Sequence, residues 1–219
     1  MTETRVLIAT AVAAERDAVA PALAGHSSYD VTAVGVGPAA AAAGTALALL
    51  GPEGPYDLVV SAGIGGGFPA AVPVGGLVVA DAIVAADLGA ETPDGFSSVA
   101  ELGFGTVRHD PPAALARALA EATGAVYGTV LTVSTVTGSA AGADALLKRH
   151  PGAAAEAMEG FGVAETAARL RIPVLEIRGI SNAVGPRDRD AWRIGDALAA
   201  LTRAVAALPP VIDAWRGPH

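Results

Sequence analysis

Short apolar runs recur along this chain between alanine-rich stretches of helical length, and that alternation limits the fold more than any other feature. It is the pattern of a sheet covered by helices, not of a sandwich or a helical bundle. Strands are expected at Arg5–Ala9, Val31–Val34, Asp57–Ser61, Gly76–Val84, Val126–Val133 and Val174–Ile180. Helices are expected at Ala14–Leu23, Ala39–Leu50, Pro112–Ala122, Ala155–Leu170 and Asp190–Leu208, the last extending toward Trp215. From Ala86 to Asp110, Gly, Pro, Ser and aromatic residues follow no period, which reads as a long loop or irregular hairpin over one sheet end. The 219 residues suit one domain spanning the whole chain, with no internal repeat.

Composition removes several classes of function. With 52% hydrophobic and 16% charged residues the chain has enough apolar surface to order itself. A formal net charge of −8 gives no basic footprint for phosphate backbones, so a nucleic-acid partner is not expected. There is no cysteine, hence no disulfide, zinc-thiolate site or cysteine nucleophile. His26, His109, His150 and His219 lack ligand spacing, and neither a metal nor a cofactor is expected. Met1–Arg5 runs straight into Val6–Ala9 without a cationic leader, and apolar runs break before the ~20 residues of a bilayer span, so a soluble cytoplasmic protein without a membrane partner is expected.

Two glycine clusters follow expected strands: Gly35-Val36-Gly37-Pro38 and Gly63-Ile64-Gly65-Gly66-Gly67. A dinucleotide fold would place such glycines before a helix, but the second cluster runs into Phe68-Pro69 and Pro73, and the first lacks a third glycine. They serve either tight turns or close backbone approach to a small ligand. Met158-Glu159 puts a carboxylate at the start of an expected helix, where the helix dipole alone would favour it. The strand Val174–Ile180 ends in Ser181-Asn182, polar residues at the carboxyl end of a buried strand, the place where open α/β sheets bind ligands.

Met158-Glu159 followed by Arg178-Gly179-Ile180-Ser181-Asn182 resembles the paired signature of the purine nucleoside phosphorylase/nucleosidase superfamily, which includes 5′-methylthioadenosine nucleosidases. Ala11–Glu15 resembles that family's catalytic-glutamate loop, Gly35–Gly37 its ribose-side glycine turn, Ser61–Gly66 its substrate-lining glycine turn, and Pro73–Asp81 its strand ending in an acidic residue. The resemblance spans about Arg5 to Trp192. It implies a single-domain three-layer α/β/α fold with a mixed central sheet, a purine nucleoside as small-molecule substrate, and a homodimer or higher homo-oligomer.

Asn182 and the following Ala183-Val184-Gly185-Pro186-Arg187-Asp188-Arg189-Asp190-Ala191-Trp192 are similar to the futalosine hydrolase branch, whereas adenine-cleaving nucleosidases carry Asp at this position. An amide both donates and accepts, which suits the 6-oxopurine of futalosine. The resemblance implies hydrolysis of futalosine to hypoxanthine and dehypoxanthine futalosine, a step toward menaquinone. Glu15 would activate water and Asn182 would stabilise the departing base. Glu159 would grip the ribose hydroxyls, with Met158 on the sugar face. Gly37, Gly63, Ile64, Ser181 and the base wall around Val136 and Thr137 complete the expected site. Ile64 stands where the family has Ser. Family phosphorylases hold phosphate with arginine near the strand that here reads Asp57–Ser61, and neither that strand nor the Gly35 turn has a cation, which favours hydrolysis. Arg187 or Arg189 either faces the carboxylate of the futalosine tail or belongs, in the run Arg187-Asp188-Arg189-Asp190, to a solvated helix start. The alternatives are a methylthioadenosine, S-adenosylhomocysteine or aminofutalosine nucleosidase, and, in another class, a non-catalytic nucleoside-binding protein with no use for Glu15.

Overall fold

The computed structural model describes residues 3–93 and 95–215, so His219, Met1 and Thr2 lie outside it. In chain order the elements are β1 (Val6–Thr10), α1 (Ala13–Val19), β2 (Tyr29–Ala33), α2 (Pro38–Leu49), β3 (Leu58–Gly67), β4 (Leu77–Ala85), β5 (Gly89–Thr92), β6 (Gly95–Ser98) and β7 (Arg108–His109). There follow α3 (Ala113–Thr123), β8 (Val126–Thr132), α4 (Ala140–Arg149), β9 (Ala153–Ala157), α5 (Gly160–Arg169), β10 (Val174–Ala183), α6 (Ile194–Ala206) and α7 (Leu208–Ala214). Among the described residues all strands but β5 and β6, which pair apart, form one mixed sheet with helices on both faces. One core joins Val19, Leu115, Leu119, Leu201, Leu208 and Ile212 from α1, α3, α6 and α7 to Val6, Ile8, Val60 and Ile177 of the sheet. On the other face, Ala41 and Leu49 of α2 and Phe161, Val163 and Ala167 of α5 pack on Leu7, Val59 and Val78.

Strand β3 organises the sheet. Its first half pairs in parallel with β1, from Val6↔Leu58 to Ala9↔Ser61. Its far end pairs antiparallel with β9, through Gly66↔Glu156 and Gly67↔Ala155. Along its other edge it runs parallel to β10 from Val59 to Gly67. Since β10 pairs with β4, β4 with β8 and β8 with β9, this half of the sheet curls back onto β3. The cluster Gly63–Gly67 is therefore strand, not the turn expected from its glycines. β3 must leave one neighbour for another within a few residues, and missing side chains permit that bend.

Two further expectations need correction. Ala155–Leu170 was expected as one helix, but Ala153–Ala157 is a wholly buried strand and helix begins only at Gly160. Alanine favours helix intrinsically, yet here its small size fits between β8 and β3: a Cβ on Gly128 of β8 would sit 2.9 Å from the Ala154 methyl. Helix α4 was not anticipated, although Ser139 caps it by accepting from the Gly142 N–H at 3.1 Å, and Lys148 and Arg149 close its last turn. The Ala86–Asp110 segment does contain the expected hairpin, β5 with β6, together with the short β7 on β4. Residues Ile194–Ala214 are long and apolar enough by composition for a bilayer span, longer than the sequence reading allowed. Ala197, Leu201, Ala204, Val205, Leu208 and Ile212 from this stretch are core residues, which accounts for its apolar character.

Candidate active site

Where β3 parts from β1, its backbone loses a partner, and Glu15 fills the gap. Glu15 sits in the first turn of α1, 5% exposed. Its Oε1 accepts from the Ile64 N–H at 2.9 Å, and its Oε2 accepts from the N–H groups of Ala11 at 2.9 Å and Val12 at 3.3 Å. One carboxylate thus fixes the end of β1, the start of α1 and the middle of β3 in one geometry.

Glu159, also buried, lies between β9 and α5. Its Oε1 accepts from the Gly37 N–H at 3.2 Å; its Oε2 accepts from the Met158 N–H at 3.3 Å and from Arg178 Nη1 at 3.2 Å. Arg178 is 1% exposed and commits its other groups as well, Nε donating to Glu176 Oε1 at 2.8 Å and Nη2 to the Ser61 hydroxyl at 3.0 Å. Burial works against its charge, but attraction from Glu176, Glu159 and Glu15 outweighs that and holds its pKa above the ordinary value. Burial pushes the Glu176 carboxyl up, opposed by Arg178. Two glycines make room for this network. A Cβ on Gly63 would strike Arg178 Nη1 and crowd Glu15 Oε1, and one on Gly160 would run into both Glu176 oxygens.

Above this floor opens a cavity of about 420 Å³, lined by Glu15, Ile64, Val136, Thr137, Met158, Glu159, Ser181, Asn182 and Arg187 from the expected set. Gly37 and Gly63 do not line it: Gly37 acts through its N–H on Glu159, and Gly63 sits one layer deeper, between Arg178 and Glu15. The Ser181 hydroxyl donates to Asn182 Oδ1 at 2.8 Å, and Asn182 Nδ2 donates to the Ala183 carbonyl at 3.0 Å, which leaves its second N–H for a ligand. At the rim the Arg187 guanidinium lies 5.8 Å from the Trp192 ring centroid. Arg187 is the only cation among the described lining residues. Glu156 also lines the cavity and was not anticipated, because it lies inside the alanine run read as helix. Glu176 and Arg178 were visible as opposite charges two residues apart on a buried strand, hence on one face, a signal that the pair is internal.

A curled mixed sheet between two helical layers, with a carboxylate-floored cavity lined from the ends of β3, β9 and β10, defines an α/β protein built around a small-molecule site. The phosphorylase superfamily matches residues 18–214, and the chain belongs to it. Within that superfamily it falls with the futalosine hydrolases. It is 63% identical to futalosine hydrolase of Streptomyces coelicolor, over 98% of both chains. It is 49% identical to that of Acidothermus cellulolyticus, over 92% of this chain and 89% of the relative. The fold is shared with the 5′-methylthioadenosine/S-adenosylhomocysteine nucleosidase of Colwellia psychrerythraea 34H in complex with adenine, at a TM-score of 0.80, 21% identity and 96% of both chains.

Proposed function

We propose that this chain is a cytoplasmic hydrolase of the N-glycosidic bond of futalosine, releasing hypoxanthine and dehypoxanthine futalosine. What carries the reading is the joining of Glu15, Glu159 and Asn182 in one cavity of a chain so close to futalosine hydrolases. No observation favours the adenine-cleaving or non-catalytic alternatives. Cleavage builds positive charge on the sugar and negative charge on the base, and the cavity has a group for each end. Glu15 takes a proton from water, whose oxygen bonds to C1′ as the C1′–N9 bond breaks. The electron pair of that bond leaves with the base, where the free N–H of Asn182 meets it at O6 or N7. Glu159 accepts from the ribose hydroxyls, and Arg178 holds that carboxylate in place. Arg178 is buried and does not line the cavity, and Arg187, the only cation among the described lining residues, sits at the rim, which supports water rather than phosphate as the nucleophile. Arg187 at the rim meets the carboxylate of the substrate's tail.

The test is to supply futalosine, methylthioadenosine and inosine with and without phosphate and to identify the released base and sugar. Hypoxanthine and a free reducing sugar at the same rate in both buffers are expected. A sugar 1-phosphate would overturn the assignment. Val12, Val36 and Val136 line the cavity yet are exposed and apolar, which supports a second copy covering its mouth in a homodimer or larger homo-oligomer; sedimentation equilibrium measures it.

A further inference from the structure

Glu156 is a carboxylate with no part in the chemistry above, 4% exposed and yet in the cavity wall. It sits across β3 from Asn182: Asn182 pairs with Gly66 on one side, and Gly66 pairs with Glu156 on the other. Residues directly opposite in a sheet project to one face, so the two side chains flank the bare Gly66 at two strand spacings, roughly 10 Å. A Cβ on Gly66 would lie 2.9 Å from Val184 Cγ2 and 3.3 Å from Asn182 Nδ2, so the absence of a side chain there lets the Asn182 amide lie close against the strand.

The hydrogen-bonding inventory then divides the labour. Asn182 Oδ1 accepts from the Ser181 hydroxyl, which also reaches the Gly65 carbonyl at 3.2 Å, and the group the amide has wholly uncommitted is its second N–H, a donor. A 6-oxopurine also presents a donor of its own, N1–H, which needs an acceptor. Glu156 Oε1 accepts from the Thr137 N–H at 2.8 Å, and Oε2 from the Thr137 hydroxyl, which leaves lone pairs on both oxygens. If Glu156 only tethered the segment around Thr137, a neutral Gln would do so without the cost of burying charge. Burial does push this carboxyl up, with the Thr137 hydrogen bonds pulling it back down.

We infer that Glu156 accepts the N1–H of the purine and so selects 6-oxopurines against adenine, whose N1 is an acceptor that the carboxylate repels. This rests on the proposed use of the cavity for a hypoxanthine nucleoside, but it is tested on the base alone. Titration calorimetry on the full chain compares hypoxanthine, adenine and 1-deazahypoxanthine, which has C–H in place of N1–H. The natural protein should bind 1-deazahypoxanthine at least tenfold more weakly than hypoxanthine. E156Q should lose about tenfold or more for hypoxanthine while holding or gaining for adenine, because its amide can donate to N1. An equal loss for both bases would mean that Glu156 is only a tether, and equal binding of hypoxanthine and its 1-deaza analogue by the natural protein would overturn the inference even if E156Q does not fold. Absence of futalosine cleavage together with the expected base preference would instead leave this inference standing and sink the proposed reaction.

Discussion

The floor and the rim of the cavity are built on opposite principles. At the floor, Glu15, Glu159, Glu176 and Arg178 are all under a tenth exposed, and nearly every polar atom is spoken for by a backbone N–H or an opposite charge. At the rim, Arg187 is exposed, its neighbour Asp188 only caps a short turn, and among the described residues the guanidinium has an aromatic ring but no carboxylate partner. Preorganisation costs nothing at the moment of reaction, so it is worth building where charge develops and not where a tail is merely held. The difference implies a steep gradient of mutational effect from floor to rim.

The largest effect is expected deepest. Arg178→Met leaves Glu159 and Glu176 buried without their shared cation, and urea unfolding should show a loss of about 3–5 kcal/mol. A loss under about 1 kcal/mol would mean that the floor is not held by this network. Next comes Glu15→Gln, which keeps the size of the side chain, removes the base and turns an NH2 toward one of the backbone N–H groups that the two oxygens serve; turnover on futalosine should fall by about 10²–10⁴, with the larger part of the loss in kcat. Near-normal turnover would remove Glu15 from the reaction. Halfway up the wall, Asn182→Asp should move the kcat/KM ratio of futalosine to its 6-amino analogue by about tenfold toward the amine, since a lost or inverted buried hydrogen bond costs about 1–3 kcal/mol. An unchanged ratio would mean that residue 182 does not read the purine edge. The smallest change belongs to the rim: Arg187→Ala should raise KM for futalosine about threefold and leave inosine, which has no carboxylate tail, unaffected, as exposed ion pairs contribute at most about 1 kcal/mol. Equal losses on the two substrates would deny Arg187 its role toward the tail.

The same gradient separates what the sequence disclosed from what it hid. Glu15 and Asn182 were legible because each follows a strand whose apolar run is plain in the sequence, whereas Glu159 was legible only through the paired Met158-Glu159 and Arg178–Asn182 signature, its own strand having read as helix. The continuation of β3 was not, since glycines at 63–67 signal turns unless one knows that the strand changes neighbours there. Glu156 was hidden more deeply, because Ala153–Ala157 has the local preference of a helix and only the space between β8 and β3 makes it a strand. Helix α4, by contrast, had its cap and its basic last turn in full view and needed no tertiary knowledge.

Gly160 and Glu176 occupy the same small volume from two elements far apart in the chain. A methyl at 160 cannot coexist with the carboxylate at 176, so each position limits what the other may become. Gly160→Ala alone should be among the worst tolerated changes in the molecule, and the same change made together with Glu176→Ala should recover part of the loss. In descent, the two sites can then drift only as a couple. A chain that has lost the glycine should have lost the glutamate too, and must hold its arginine by some other means.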